Sequence, residues 1–123
     1  MSTLNVSNIT DGTTTVGTSY VVNGSAKAWV NFNGTGTIAI REGFNESSLT
    51  DEGTGDYTVN FTAAMTDVNY CTHVTPDSNS KTQAAKSPTI YSLGTTSSIR
   101  VSLYNNAAGA YQDSAVVNVS VIR

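Results

Sequence analysis

His73 is the only histidine of this chain and Cys71 the only cysteine. Their i, i+2 spacing places both on one face of a strand. Imidazole and thiolate are metal ligands, yet two of them fall short of the four that close a zinc site. Only symmetry copies in an oligomer would complete one. A Ser-His-Asp relay needs an oriented base beside a nucleophile, and no serine is singled out as a partner for His73. Asp51, Glu52 and Asp56, with Gly53 and Gly55, resemble a hard-cation loop in composition only. The regular odd-position acids and closing glutamate of a calcium loop are absent, and a solvated hairpin turn accounts for the cluster. Neighbours on one turn do not flank a glycosidic bond from two sides, as paired glycosidase carboxylates must. Asn33-Gly-Thr-Gly-Thr37 has glycines but no lysine and no following helix, so it is no phosphate loop. The expectation is a chain that is not an enzyme, with no catalytic residue, no metal and no cofactor.

The elements that would position these residues are strands. Ala28, Val30 and Phe32 alternate with Lys27, Trp29 and Asn31, and Tyr57, Val59 and Phe61 alternate with Asp56, Thr58 and Asn60. Period-two alternation marks strands whose faces see different environments. The turn Asn33-Gly34-Thr35-Gly36 separates the first of these from a further strand-like run, Thr37–Ile40, and the turn from Asp51 to Gly55 leads into the second. Between Ile40 and Asp56 the chain reads as a connection, with Phe44 and Leu49 packing over a sheet edge. Val68, Tyr70, Thr72 and Val74 alternate with Asn69, Cys71 and His73, which predicts another strand with a buried Cys71 thiol. Further strands are expected at Thr89–Leu93, Ser98–Tyr104 and Ala115–Val121. No helical period survives over a dozen residues. The fold class is all-β: an antiparallel β-sandwich or jelly-roll-like domain over residues 26–123, preceded by an extended N-terminal arm over 1–25.

In that arm Leu4, Val6 and Ile9 suit strand addition to a neighbour's sheet, with Asp11-Gly12 as a turn. The segment from Pro76 to Lys86 is polar and aperiodic, and Asn105 to Gly109 is a turn. Asp77, Asn79, Lys81 and Gln83 in the first, with Asn105, Asn106 and Tyr111 at the second, are the candidate receptor or partner contacts. Trp29 and the tyrosines on minor strand faces pair large area with a polar handle, as interface residues do.

Composition narrows the function classes. Only 12% of the 123 residues are charged, about half the usual share, with serine, threonine and asparagine in their place. The net charge of −3 and six scattered basic residues leave no footprint for nucleic acid. No apolar run approaches the length of a membrane-spanning helix, so no membrane insertion is expected. No secretory signal opens the chain, and the expectation is synthesis in a cytoplasm followed by export within a larger particle.

Lys27-Ala-Trp-Val-Asn-Phe-Asn-Gly-Thr-Gly-Thr37 and Asn45-Glu-Ser-Ser-Leu-Thr-Asp-Glu-Gly-Thr-Gly-Asp-Tyr-Thr-Val-Asn-Phe61 resemble a module of tail-fibre-like proteins of tailed bacteriophages, marine and aquatic ones especially. Ser98-Ile-Arg-Val, Tyr104-Asn and Val117-Asn-Val resemble the end of that module, and Met-Ser-Thr-Leu-Asn-Val resembles the start of many such proteins. The resemblance covers about residues 26–123. It implies a virion structural protein, a homotrimer on the phage tail or capsid surface, with other virion proteins and a host cell-surface glycan or protein as partners. It carries no catalytic residues. Two roles fit: receptor binding or tail attachment, and, as the alternative, a capsid decoration (cement) protein that stabilises the head.

Overall fold

The computed structural model describes residues 1–77, 86–92 and 94–123. Alternating apolar residues become the inner faces of two packed antiparallel sheets. One sheet has the order β4 (Ala39–Phe44), β3 (Ala26–Asn33), β11 (Val117–Ile122), β7 (Cys71–Pro76). The other runs β5 (Glu46–Gly53), β6 (Asp56–Phe61), β9 (Ser98–Asn105). Along β9, Ser102 pairs with Asp56 on one side and with Thr89 of β8 (Lys86–Ile90) on the other. The two-residue β10 (Ala110–Tyr111) pairs with Tyr104 and Asn105 at the end of β9. This is the expected antiparallel β-sandwich.

Ala28, Val30 and Phe32 of β3 and Val117, Val119 and Val121 of β11 are buried against Tyr57, Val59 and Phe61 of β6 and Ile99, Val101 and Leu103 of β9. Each such side chain stabilises the fold by roughly 1.5–3 kcal/mol through lost apolar contact with water. The Phe32 and Tyr57 rings meet edge to face across the sheets, with centroids 5.2 Å apart, which fixes how the sheets register. Pro88 lacks an N–H and stands in β8 at the sheet edge, where a missing donor is tolerated.

Strand registers give the sandwich two distinct poles. At one, Ala26 opens β3 beside Ile122 of β11, Cys71 opens β7, and β4 passes into β5 through Asn45. Asn45 has φ +60, a conformation Asn tolerates, and its side chain bonds Lys27 O at 2.9 Å, Ala63 O at 3.1 Å and Ala63 N at 2.7 Å. That one residue ties both sheets together where the chain crosses between them. At the other pole lie the β3–β4 and β5–β6 turns, Asp77 after β7, the start of β8, and the connection around β10.

Several expectations shift. The connection between Ile40 and Asp56 is largely strand: β4 and β5 occupy it, with Leu49 half-buried against the core. Their near-complete exposure erased the apolar alternation that would have revealed them. β7 begins at Cys71 rather than Val68, and Val68 and Tyr70 precede it; the C-terminal strand begins at Val117, not Ala115. Strand β8 starts at Lys86 and ends at Ile90, earlier than the run predicted from Thr89, and Leu93 lies outside the described residues. Residues 1–25 are not one extended arm. β1 (Asn8–Thr10) and β2 (Thr15–Gly17) form a hairpin, and α1 (Thr18–Gly24) follows it. Seven residues are too few for a helical period to register.

Candidate functional site

The pole away from the N-terminal segment is knit by buried polar bonds. Tyr57, fully buried, brings its hydroxyl to 2.8 Å from Gly34 O and 3.0 Å from Asp113 Oδ1. Asp113 Oδ1 also accepts from Gly55 N at 2.6 Å, and Gly34 N donates to Ser114 O at 2.9 Å. Burial and the Asp113 carboxylate push the Tyr57 phenol far above its ordinary value, so it stays a neutral donor. Gly55 must be glycine here. Its φ is +64, and a Cβ would fall 2.7 Å from the Gln112 backbone.

Beside this knot Lys86, buried, brings Nζ to 3.4 Å from Asp77 Oδ1 and 3.2 Å from Ser114 Oγ. The Ser114 hydroxyl donates to Asp77 Oδ1. Burial alone would raise the Asp77 carboxyl, but the Ser114 bond and the Lys86 charge outweigh it and hold the group below its usual range. A serine beside a lysine has the composition of a nucleophile and its base. Ser114, however, is buried and its hydroxyl donates its hydrogen bond to Asp77 rather than to a base. The triad acts as a clamp that fastens the ends of the segment from Asp77 to Lys86.

The candidate contact residues fare unequally. Asn79, Lys81 and Gln83 lie outside the described residues. Asp77 is committed to the clamp. Asn105 is not an exposed contact: it is buried, donates to Gln112 Oε1 at 2.7 Å and accepts from Ala107 N and Ala108 N, so it builds the turn. Asn106 stays exposed and bonds Ser87 Oγ at 2.6 Å. Tyr111 is half exposed, with its ring edge-to-face on Tyr104 at 5.3 Å. Asp77, Asn105, Asn106 and Tyr111 share the distal pole, which the sequence order alone did not reveal.

Cys71 is exposed, not buried, because it stands on the outer side of an edge strand. Its Sγ lies 3.9 Å from His73 Nε2, so the two share a face as the spacing implied. Among the described residues, no three His, Cys, Asp or Glu side chains gather as a metal site would require. Asp51, Glu52 and Asp56 disperse: Asp51 accepts from Gly53 N, Glu52 from Thr58 Oγ1, and Asp56 takes a two-pronged bond from Arg100 at 2.9 and 2.5 Å. Arg100 also lies 4.2 Å over the Tyr91 ring.

In the segment that precedes the sandwich, Leu4, Val6, Ile9, Tyr20, Val21 and Val22 are all exposed, and no residue of β1, β2 or α1 is buried. Between α1 and the sandwich opens a groove of about 770 Å³ whose walls include Val22, Phe44, Met65 and Arg123. Arg123 is bound to Asp67 by a two-pronged ion pair. A lone hairpin is marginal in water, so this segment is an element in want of a partner surface. No family model, no curated protein and no solved structure matches the chain.

Proposed function

We propose that this protein is a bacteriophage virion structural protein, a tail-fibre-like module that carries a receptor-binding or tail-attachment surface and works as a homotrimer. The observation that carries this is the polarity of the sandwich. Exposed Val21 and Val22 of α1 line a groove with Phe44 and Met65 at the pole where the chain enters β3, and exposed Leu4, Val6 and Ile9 precede them in the chain. The candidate contacts Asn106 and Tyr111 stand at the pole held rigid by Tyr57, Asp113 and the Lys86 clamp. An attachment end and a display end on one stiff body suit a surface fibre module, and so does a surface solvated by hydroxyls and amides rather than charges. The proximal segment makes the contacts to other copies and to the virion, and no chemical step is assigned to the protein. Its setting is the outside of the particle.

The test is immunolabelling of purified virions with an antibody to this chain, imaged by electron microscopy. Label on fibres or the tail tip is the expected result. Label spread over the head would replace this reading with capsid decoration, and unlabelled particles would remove it.

A further inference from the structure

The outer face of the β4-β3-β11-β7 sheet carries a feature that the two poles do not account for. Registers align Phe44, Trp29, Ser120 and His73 in one row across four strands, and Glu42, Asn31, Asn118 and Thr75 in the next. Trp29 sits on an interior strand and is still 40% exposed. It borders a shallow hollow of about 180 Å³, rimmed by Asn31, Asn118, Ser120, His73 and Thr75. Asn31 Nδ2 donates to Asn118 Oδ1 at 2.6 Å, and Asn118 Nδ2 reaches Thr75 O at 3.4 Å. Each amide has two N–H groups and two lone pairs, so both keep donors and acceptors directed to solvent beyond these bonds.

We propose that this hollow binds one ring of a neutral saccharide, stacked on Trp29 and bonded by Asn31 and Asn118. A pyranose has an apolar C–H face and an edge of hydroxyls that donate and accept at once. An indole face covers the first, and a planar amide satisfies both halves of the second. Charge matches as well. Among the described residues the rim of the hollow is free of carboxylate and ammonium, and Arg41 on the neighbouring β4 is turned to Ala115 O at 2.6 Å and Asn31 Oδ1 at 3.5 Å. Among the described residues, an anionic ligand would find no lysine or arginine on the rim to pair with, and the one carboxylate in the two rows, Glu42, stands at their edge. A protein partner would call for a broader apolar centre than Trp29 and Phe44 provide, since the rest of the two rows is mostly amides and hydroxyls. The site lies on the flank of the sandwich, beyond the display pole, and supplies the receptor-binding reading with a ligand class.

Trp29 is the only tryptophan in the chain, so its fluorescence reports on this face alone. The experiment titrates the purified full-length chain with neutral hexoses and N-acetylhexosamines and follows Trp29 emission. A saturable change with at least one sugar, with half-saturation in the millimolar range of a single-ring site, is expected. Asn118→Ala should weaken that response about tenfold through its lost hydrogen bonds while the melting temperature holds. Emission that no sugar alters, or an Asn118→Ala variant that binds as the parent does, overturns the site. Emission that instead shifts with protein concentration alone also overturns it, and assigns the face to a second copy of the chain. Labelled fibres without a sugar response would remove this site and leave the virion reading standing; a sugar response without virion label would do the reverse.

Discussion

Replacing Tyr57 with phenylalanine tests whether the distal pole is held by polar bonds or by packing alone. The ring and its edge-to-face contact with Phe32 survive the change, so the transfer free energy of the buried surface is nearly conserved. What is lost is the hydroxyl 2.8 Å from Gly34 O and 3.0 Å from Asp113 Oδ1. Asp113 keeps the Gly55 N–H, but the carbonyl of the buried Gly34 loses its side-chain donor. An unmade bond at such a site costs about 1–2 kcal/mol. For a domain of this size that is a fall in melting temperature of roughly 4–7 °C. Thermal unfolding followed by circular dichroism reads it directly. In a double-mutant cycle, Asp113→Ala should cost less in the Tyr57→Phe background, by at least about 0.5 kcal/mol, because the two groups share one network. A Tyr57→Phe protein that melts within about 1 °C of the parent would refute the reasoning, since the hydroxyl would then contribute nothing beyond its solvation.

Two further outcomes follow from the same geometry. Asp77 is held below its ordinary value of 3.8 by Ser114 and Lys86, so its contribution is complete above that pH and is lost as pH falls through the lowered folded-state value. Melting temperature measured from neutral pH down to about 2 should therefore fall more steeply for the parent than for Asp77→Asn, and parallel curves would exclude the clamp. Removing residues 1–25 deletes no buried side chain, so the remaining sandwich should melt within about 2 °C of the full chain; a large drop would mean that the proximal segment contributes to the core.

The strands that were legible are those with one dry face. β3, β6, β9 and β11 alternate because one side meets the other sheet, and their core residues follow from the pattern. β4 was legible only at its start, where the Thr37–Ile40 run overlaps it, and β5 not at all, for the converse reason: Phe44 and Leu49 are too sparse to set a period. The polar architecture of the distal pole was hidden altogether. Tyr57 reads as one more core aromatic, and its hydroxyl finds Gly34 and Asp113 across 23 and 56 residues of chain. Lys86 looked like the end of a solvated loop, yet it is buried because Asp77 and Ser114 arrive beside it from elsewhere. The sequence signal for the saccharide face is the Trp29–Asn31 spacing, whose outward direction becomes plain only once Ala28 and Val30 are known to face inward.

The pairing of Ala26 with Ile122 has a mechanical consequence. Both strands end at the proximal pole, so a pull that separates those two ends opens β3 from β11 like a zipper, one bond at a time, at low force. A pull from the N-terminal segment against a load on the distal turns runs along the strands instead. It strains the rungs between β3 and its neighbours in shear and together, and the sandwich resists it far better. Tension applied between the two poles loads this domain along its strong axis.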